Sequence, residues 1–272
     1  MYKNKLGPRA FVNHPVQDTY EPGSIIKPII MAAGLDAQEI TADTSFHDEG
    51  PIELDEYKVT NHDNKYRGWI TMTKILEDSL NTGMTFIAQR LGKRLMYKYL
   101  QDFGFGKRTD VGLDVESPGS LSHFRTWADI THANISFGQG IAATPMQMIT
   151  AFTALANGGK LLQPHIIKEL RYRDRDTKNI ETKVVSQVIS EEVSRTITSM
   201  LISVVEHGGG AYARIPGYYV AGKTGTAQIP DQFGRYESGI GTTIASFMGY
   251  APANDPKFTT IVRVIRPRST QW

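Results

Sequence analysis

YYVAGKTGTAQI (residues 218–229), followed by TTIASFMGYA (242–251) and KFTTIVRVIRP (257–267), is a succession of β-branched and aromatic residues bounded by Gly, Pro, Asn and Asp. Such runs predict three consecutive strands, and their short polar connections favour an antiparallel meander. Gly225 lies inside the first run, and a glycine within a strand signals close approach by another backbone.

Upstream the pattern changes from strand to helix. Ser190–Val205 has helical periodicity and stops at Gly208-Gly209-Gly210, and Thr144–Leu155 reads as a helix closed by Asn157-Gly158-Gly159. Ile70, Ile75, Leu76, Leu80, Met84, Ile87, Ala88 and Leu91 recur at helical spacing up to Gly92, which predicts one long or two short helices. The apolar run from Ile25 to Met31 predicts a short buried helix that Ser24 opens, with Pro28 in its first turn where a missing N–H costs little. Residues 1–23 read as extended chain and residues 35–68 as polar loop. The class is α/β (α+β): one domain over 1–272, with a largely helical part at 24–210 and a strand meander at 211–267.

Of 272 residues, 40% are apolar and 21% charged, the balance of an ordinary globular chain. A net charge of +2 gives no electrostatic footprint for nucleic acid. There is no cysteine, which excludes disulfides, thiol catalysis and cysteine-rich zinc sites. No apolar run reaches bilayer-spanning length, and MYKNKLGPRAF lacks the apolar core of a signal peptide, so any export or anchoring signal is expected outside this chain. The seven histidines show no metal-ligand spacing, and neither metal nor cofactor is implied.

Three short constellations carry chemistry. Ser24-Ile25-Ile26-Lys27 sets a hydroxyl and an amine on one helix face. Lysine can deprotonate serine only if burial and nearby positive charge depress its pKa, and a helix start offers free N–H groups to an oxyanion. Ser79-Leu80-Asn81 can present a hydroxyl to relay a proton and a carboxamide to fix an amine or a substrate amide. Lys223-Thr224-Gly225-Thr226 combines a cation, two hydroxyls and an edge-strand backbone for an extended peptide ending in a carboxylate. Taken singly, each has a plain structural alternative: a surface pair, two wet-face residues and a tight turn.

Together, in the order SxxK, SxN, KTG, they form the set found in β-lactamases and penicillin-binding proteins. With Tyr20-Glu21-Pro22-Gly23-Ser24, Ser136-Phe137-Gly138-Gln139-Gly140, Thr144-Pro145-Met146-Gln147 and Ala221-Gly222-Lys223-Thr224-Gly225-Thr226-Ala227-Gln228, the chain resembles the class B, monofunctional transpeptidase branch from about Arg9 to Pro267. That resemblance implies the serine penicillin-recognising, β-lactamase-like transpeptidase fold, an antiparallel sheet with covering helices plus an all-helical subdomain, incomplete at both ends. It implies Ser24 as acylated nucleophile, Lys27 as its base, Ser79, Asn81 and Lys223 around them, and an oxyanion hole from the N–H groups of Ser24 and Thr226. Lys223, Thr224, Gly225 and Thr226 would bind substrate. The implied activity is D,D-transpeptidation of a peptidoglycan stem peptide or lipid-linked precursor, inhibited covalently by β-lactam antibiotics. The setting would be the outer face of the cell membrane, with a glycosyltransferase as a partner.

Competing readings are a β-lactam sensor, a noncatalytic wall-assembly scaffold and a D,D-carboxypeptidase. Gly217 to Thr224 also fits the P-loop spacing, but a P-loop opens a helix and this segment is strand-like, with Gly225 and Pro230 close behind. Glu77 to Asn81 imitates the glutamate motif of class A β-lactamases, yet would have to share Asn81 with the SxN motif. Phe233 and Tyr236 are candidates to wall the cleft. By resemblance, two strands and a helix are expected upstream of Met1 and a helix beyond Trp272, leaving one face of the sheet uncovered, with apolar residues such as Phe247, Val262 and Val264 or their neighbours on the opposite face exposed.

Overall fold

The computed structural model describes residues 7–231 and 235–268. Its elements are α1 (His14–Gln17), α2 (Lys27–Asp36), β1 (Ser45–Asp48), β2 (Ile52–Leu54), β3 (Tyr57–Val59), β4 (Gly68–Thr71), α3 (Met72–Glu77), α4 (Asn81–Asp102), α5 (Asp129–Ser136), α6 (Pro145–Ala156), β5 (Lys160–Gln163), β6 (Glu169–Leu170), β7 (Lys178–Asn179), β8 (Lys183–Gln187), α7 (Glu191–His207), β9 (Ala221–Gln228), β10 (Thr243–Ala251) and β11 (Phe258–Ile265).

The expected meander is present as an antiparallel sheet of order β11-β10-β9, in which Met248 pairs with Lys223 and Ser246 with Gly225. The P-loop reading fails here, because Lys223 lies within a strand and opens no helix. Helices α6 and α7 pack on the sheet, and β9 packs against a 3-10 turn at Gly23–Ile26 that leads directly into α2.

Helix α2 is apolar all round and therefore central. Every residue from Lys27 to Leu35 is buried, and the helix packs against α4, α6 and α7. Ile25, Ile26, Ile29, Ile30 and Met31 are fully inaccessible, each contributing about 1.5–3 kcal/mol of transfer free energy. Helix starts follow local chemistry: Thr71 caps α3, Ser190 caps α7, and Thr144 with Gln147 forms a capping box at α6.

Three stretches differ from expectation. Residues 7–23 are not all extended, since a 3-10 turn forms at Pro8–Phe11 and α1 at His14–Gln17. Residues 35–68 are not all loop, since β1 pairs with β4 and β2 with β3. The 24–210 part carries α2 to α7 but also eight short strands. Strands of two to five residues on a largely exposed surface hold too few alternations to announce themselves. Helix α5 was likewise hidden, because eight residues rich in polar and β-branched types show little apolar period. Near Gly92, where the helical pattern was expected to stop, the backbone takes φ +70° and α4 resumes to Asp102.

Among the described residues β11 pairs only with β10, and Val262 and Val264 are exposed as expected. Phe247 is half-buried instead, its ring lying over the two neighbouring glycines, Gly222 and Gly249.

Candidate active site

The SxxK residues sit where a 3-10 turn becomes an α-helix. In that geometry residues i and i+3 stack along the axis, so half-buried Ser24 and the first residue of α2, Lys27, share a face. The turn is pressed into place from two sides. A Cβ on Gly138 would lie 2.2 Å from the Gly23 carbonyl oxygen and 2.5 Å from its nitrogen, and the Gly23 N–H donates to the Gly138 carbonyl at 3.1 Å. From the sheet side, a Cβ on Gly225 would lie 3.4 Å from the Ser24 nitrogen, and one on Gly23 2.8 Å from the Thr226 carbonyl oxygen. The strand glycine therefore permits the close backbone approach its position predicted, and brings Thr226 beside Ser24.

Ser79 links α3 to α4 with φ +56°, a left-handed conformation uncommon outside glycine. That turn presents both its carbonyl and its hydroxyl to Lys27. Lys27 Nζ donates to Ser79 O at 2.6 Å and to Asn81 Oδ1 at 2.8 Å, and lies 3.3 Å from Ser79 Oγ. Lys223 Nζ donates to the same Ser79 Oγ at 3.0 Å and to Thr224 O at 2.9 Å. Two lysines from distant segments thus converge on one hydroxyl.

Neither amine is solvated: Lys27 is 0% and Lys223 1% exposed. Burial, and secondarily the charge of Lys223, holds the Lys27 pKa well below the ordinary lysine value. Burial alone lowers Lys223 to about 7. The arrangement can keep one amine neutral as a proton acceptor and still offer a cation beside it.

Along β9 the side chains alternate: Lys223, Gly225 and Ala227 are buried, whereas Thr224 is half-buried and Thr226 exposed. All five candidate catalytic residues, Ser24, Lys27, Ser79, Asn81 and Lys223, are drawn into this one region, with Thr224, Gly225 and Thr226 on the strand that borders it. Glu77 is not a member. Its carboxylate accepts from Ser203 Oγ at 2.5 Å and Lys74 Nζ at 3.3 Å, tying α3 to α7.

Glu21, quoted in the sequence without a role, accepts from Gly140 N–H at 2.8 Å and from the hydroxyl of Tyr236, a candidate cleft residue, at 2.8 Å, joining the approach to Ser24, the loop after α5 and the β9–β10 connection. Phe233 lies outside the described residues. Buried Asp48 and Asn61, which support Asn81, escaped sequence reading altogether. They lie 33 and 20 positions before Asn81 and belong to no motif.

The model of the penicillin binding protein transpeptidase domain matches residues 1–271. Stage V sporulation protein D of Bacillus subtilis is 39% identical over 264 residues, covering 95% of this chain and 40% of that protein. Peptidoglycan D,D-transpeptidase FtsI of Escherichia coli K12 is 30% identical over 268 residues, covering 97% of this chain and 42% of the relative. This chain thus spans less than half the length of these relatives. In three dimensions it is similar to penicillin-binding protein 3 from Mycobacterium tuberculosis complexed with aztreonam, with TM-score 0.87 and 31% identity over 94% of this chain and 58% of the other. The apo transpeptidase domain of penicillin-binding protein 3 from Burkholderia pseudomallei gives TM-score 0.83 at 31% identity, covering 94% and 74%. With the SxxK, SxN and KTG residues gathered around two buried lysines and a family match along nearly its whole length, this chain belongs to the penicillin-binding protein transpeptidase domain family.

Proposed function

We propose that this chain carries the acyl-transfer chemistry of a peptidoglycan D,D-transpeptidase. The observation that supports it most is the Ser79 hydroxyl held between two buried amines, because it supplies a proton path beside a lysine whose pKa burial depresses. In this reading Ser24 Oγ attacks the carbonyl of the penultimate D-alanine while Lys27 takes its proton. The N–H groups of Ser24 and Thr226 stabilise the oxyanion. The C–N bond then breaks, the leaving D-alanine amine receives a proton through Ser79, and the peptide remains esterified to Ser24. An acceptor amine then attacks that ester, the C–O bond to Ser24 breaks, and the proton lost by the acceptor amine passes to Ser24 Oγ, completing the cross-link.

Lys223, Thr224 and Thr226 hold the terminal carboxylate, with Gly225 allowing the peptide backbone to lie along β9. Asn81 holds both Lys27 and the substrate amide. β-Lactams acylate the same serine as mimics of the D-Ala-D-Ala end. Relatives named as peptidoglycan D,D-transpeptidases and similar structures complexed with aztreonam and ampicillin support the reading.

Among the described residues no helix is long and apolar enough to cross a membrane. The proposed setting is the outer face of the cell membrane, on a peptidoglycan stem peptide or lipid-linked precursor, in company with a glycosyltransferase.

The test is labelling with a fluorescent penicillin, followed by turnover of a D-alanyl thioester with and without an acceptor amine. Labelling plus amine-dependent transfer supports transpeptidation. Hydrolysis without transfer would indicate a carboxypeptidase, labelling without turnover a sensor or scaffold, and no labelling would remove the acyl-enzyme.

A further inference from the structure

Asn81 is the first residue of α4, yet the residue before it, Leu80, has no side chain able to cap a helix. The first N–H groups of a helix lack partners within it and must find them elsewhere. Here they find a residue 20 positions back: Asn61 Oδ1 accepts from Asn81 N at 3.0 Å and from Thr82 N at 3.2 Å. The other end of that carboxamide, Nδ2, donates to Asp48 at 3.1 and 3.3 Å and to the Lys65 carbonyl at 3.0 Å. Rotating the amide by half a turn would set donors against donors and oxygen against carboxylate, so the network fixes its orientation. Asp48 is itself held by the Arg67 N–H at 3.0 Å and by Thr82 Oγ1 at 2.7 Å, and both Asp48 and Asn61 are 1% exposed.

We propose that Asn61, oriented by Asp48, is a positioning residue for the acyl-transfer site; this rests on the reading of the function given above. Asn61 touches neither amine. It sets the start of α4, and through it the Asn81 carboxamide, which meets Lys27 Nζ at 2.8 Å and anchors back to Thr60 O at 3.1 Å. Between the fixed Asn81 and an Asp78 held by Arg67 at 3.1 Å and Lys74 at 2.9 Å, Ser79 is kept in its left-handed turn with its hydroxyl between the lysines. Polar groups at a reacting centre tolerate little displacement, and an error of about 1 Å costs about a hundredfold in rate. Releasing Asn61 frees one end of the Ser79–Asn81 segment.

The experiment labels this chain and its variants with a fluorescent penicillin and separates the exponential rate constant, which reports competent molecules, from the final amplitude, which counts folded ones. Asn61→Ala is expected to slow the saturated acylation step at least about tenfold while noncovalent affinity changes less than about threefold. Asn61→Asp faces its carboxylate with that of Asp48 and is expected to be slow as well. The exchange Asp48→Asn with Asn61→Asp returns a donor to the pair and is expected to label faster than Asn61→Asp alone. An unchanged rate constant in Asn61→Ala, with only the amplitude reduced, would overturn the positioning role. An exchange variant no faster than Asn61→Asp would overturn the part given to Asp48. Failure of the parent chain to label would instead count against the proposed function, which keeps the two outcomes apart.

Discussion

Lys27 Nζ meets the Ser79 carbonyl oxygen at 2.6 Å across 52 residues of chain. The contact depends on the positive φ of Ser79, since an ordinary helical residue at that position would turn its carbonyl along the helix axis. The left-handed turn between α3 and α4 therefore fixes an amine at the start of α2, and the chemistry proposed here follows from keeping that amine buried.

Ser24→Ala is expected to abolish the penicillin mass adduct with little change in melting temperature, because Ser24 is half-buried and has no packing role comparable to the isoleucines beside it. Intact-protein mass spectrometry checks this. An adduct that persists in the variant would move the nucleophile elsewhere.

Lys223→Arg and Lys223→Ala separate charge from bulk. Arg stays protonated throughout the accessible range, whereas Lys223, lowered to about 7 by burial, loses its charge as pH rises through that value. Acylation by carboxylate-bearing penicillins is expected to fall on the alkaline side in the parent and to lose that limb in Lys223→Arg. Lys223→Ala is expected to be slower than Lys223→Arg at pH 7. Rate profiles over the neutral and alkaline range decide it, and coincident profiles for all three proteins would take Lys223 out of the site.

The same burial makes stability depend on pH. Lys223 is depressed from 10.5 to about 7 in the fold, so the folded state binds fewer protons than the unfolded chain between those values. Its contribution is most favourable above 10.5 and is lost as pH falls toward 7, a swing of about 4 kcal/mol for a fully buried amine. Lys223→Met is therefore expected to gain melting temperature relative to the parent at pH 7 and to lose that advantage by pH 10. A variant-minus-parent difference that is equal at both pH values would mean that the amine is charged in the fold.

Gly138→Ala and Gly140→Ala form a matched pair at positive φ, +88° and +75°. An added Cβ at 138 strikes the Gly23 backbone at 2.2 Å, whereas at 140 its nearest contact is Ile135 Cγ1 at 3.7 Å. Gly140→Ala is expected to cost about 1 kcal/mol of conformational strain, and Gly138→Ala at least about 3 kcal/mol with loss of acylation. Thermal melts and labelling rates compare them. Equal effects would show that the turn carrying Ser24 yields easily.

Exposed Val264 lies on β11, which pairs only with β10 among the described residues. Charge on an edge strand blocks pairing with another chain. Val264→Lys is expected to lower light scattering at high concentration while leaving the penicillin labelling rate within about twofold.

The strand meander was legible because Val220 to Ile229 and the two runs after it carry enough β-branched and aromatic residues, bounded by turn formers, to exclude a helix. Helices α2, α6 and α7 were legible for the complementary reason, a sustained apolar period with recognisable ends. The short pairings of β1 with β4 and β5 with β8 were not, since four or five half-exposed residues give no period to read.

Ser24, Lys27, Ser79, Asn81 and Lys223 could be named from motif and order alone, because the residue types that the chemistry needs are written in the chain. The sequence did not determine that Lys27 and Lys223 share one hydroxyl, that both are buried, or that Asn61 caps a helix 20 residues away. Those are consequences of tertiary structure: the pKa of an amine depends on the solvent it has lost and the charges brought near it, and the cap of a helix on whichever acceptor folding places at its first turn.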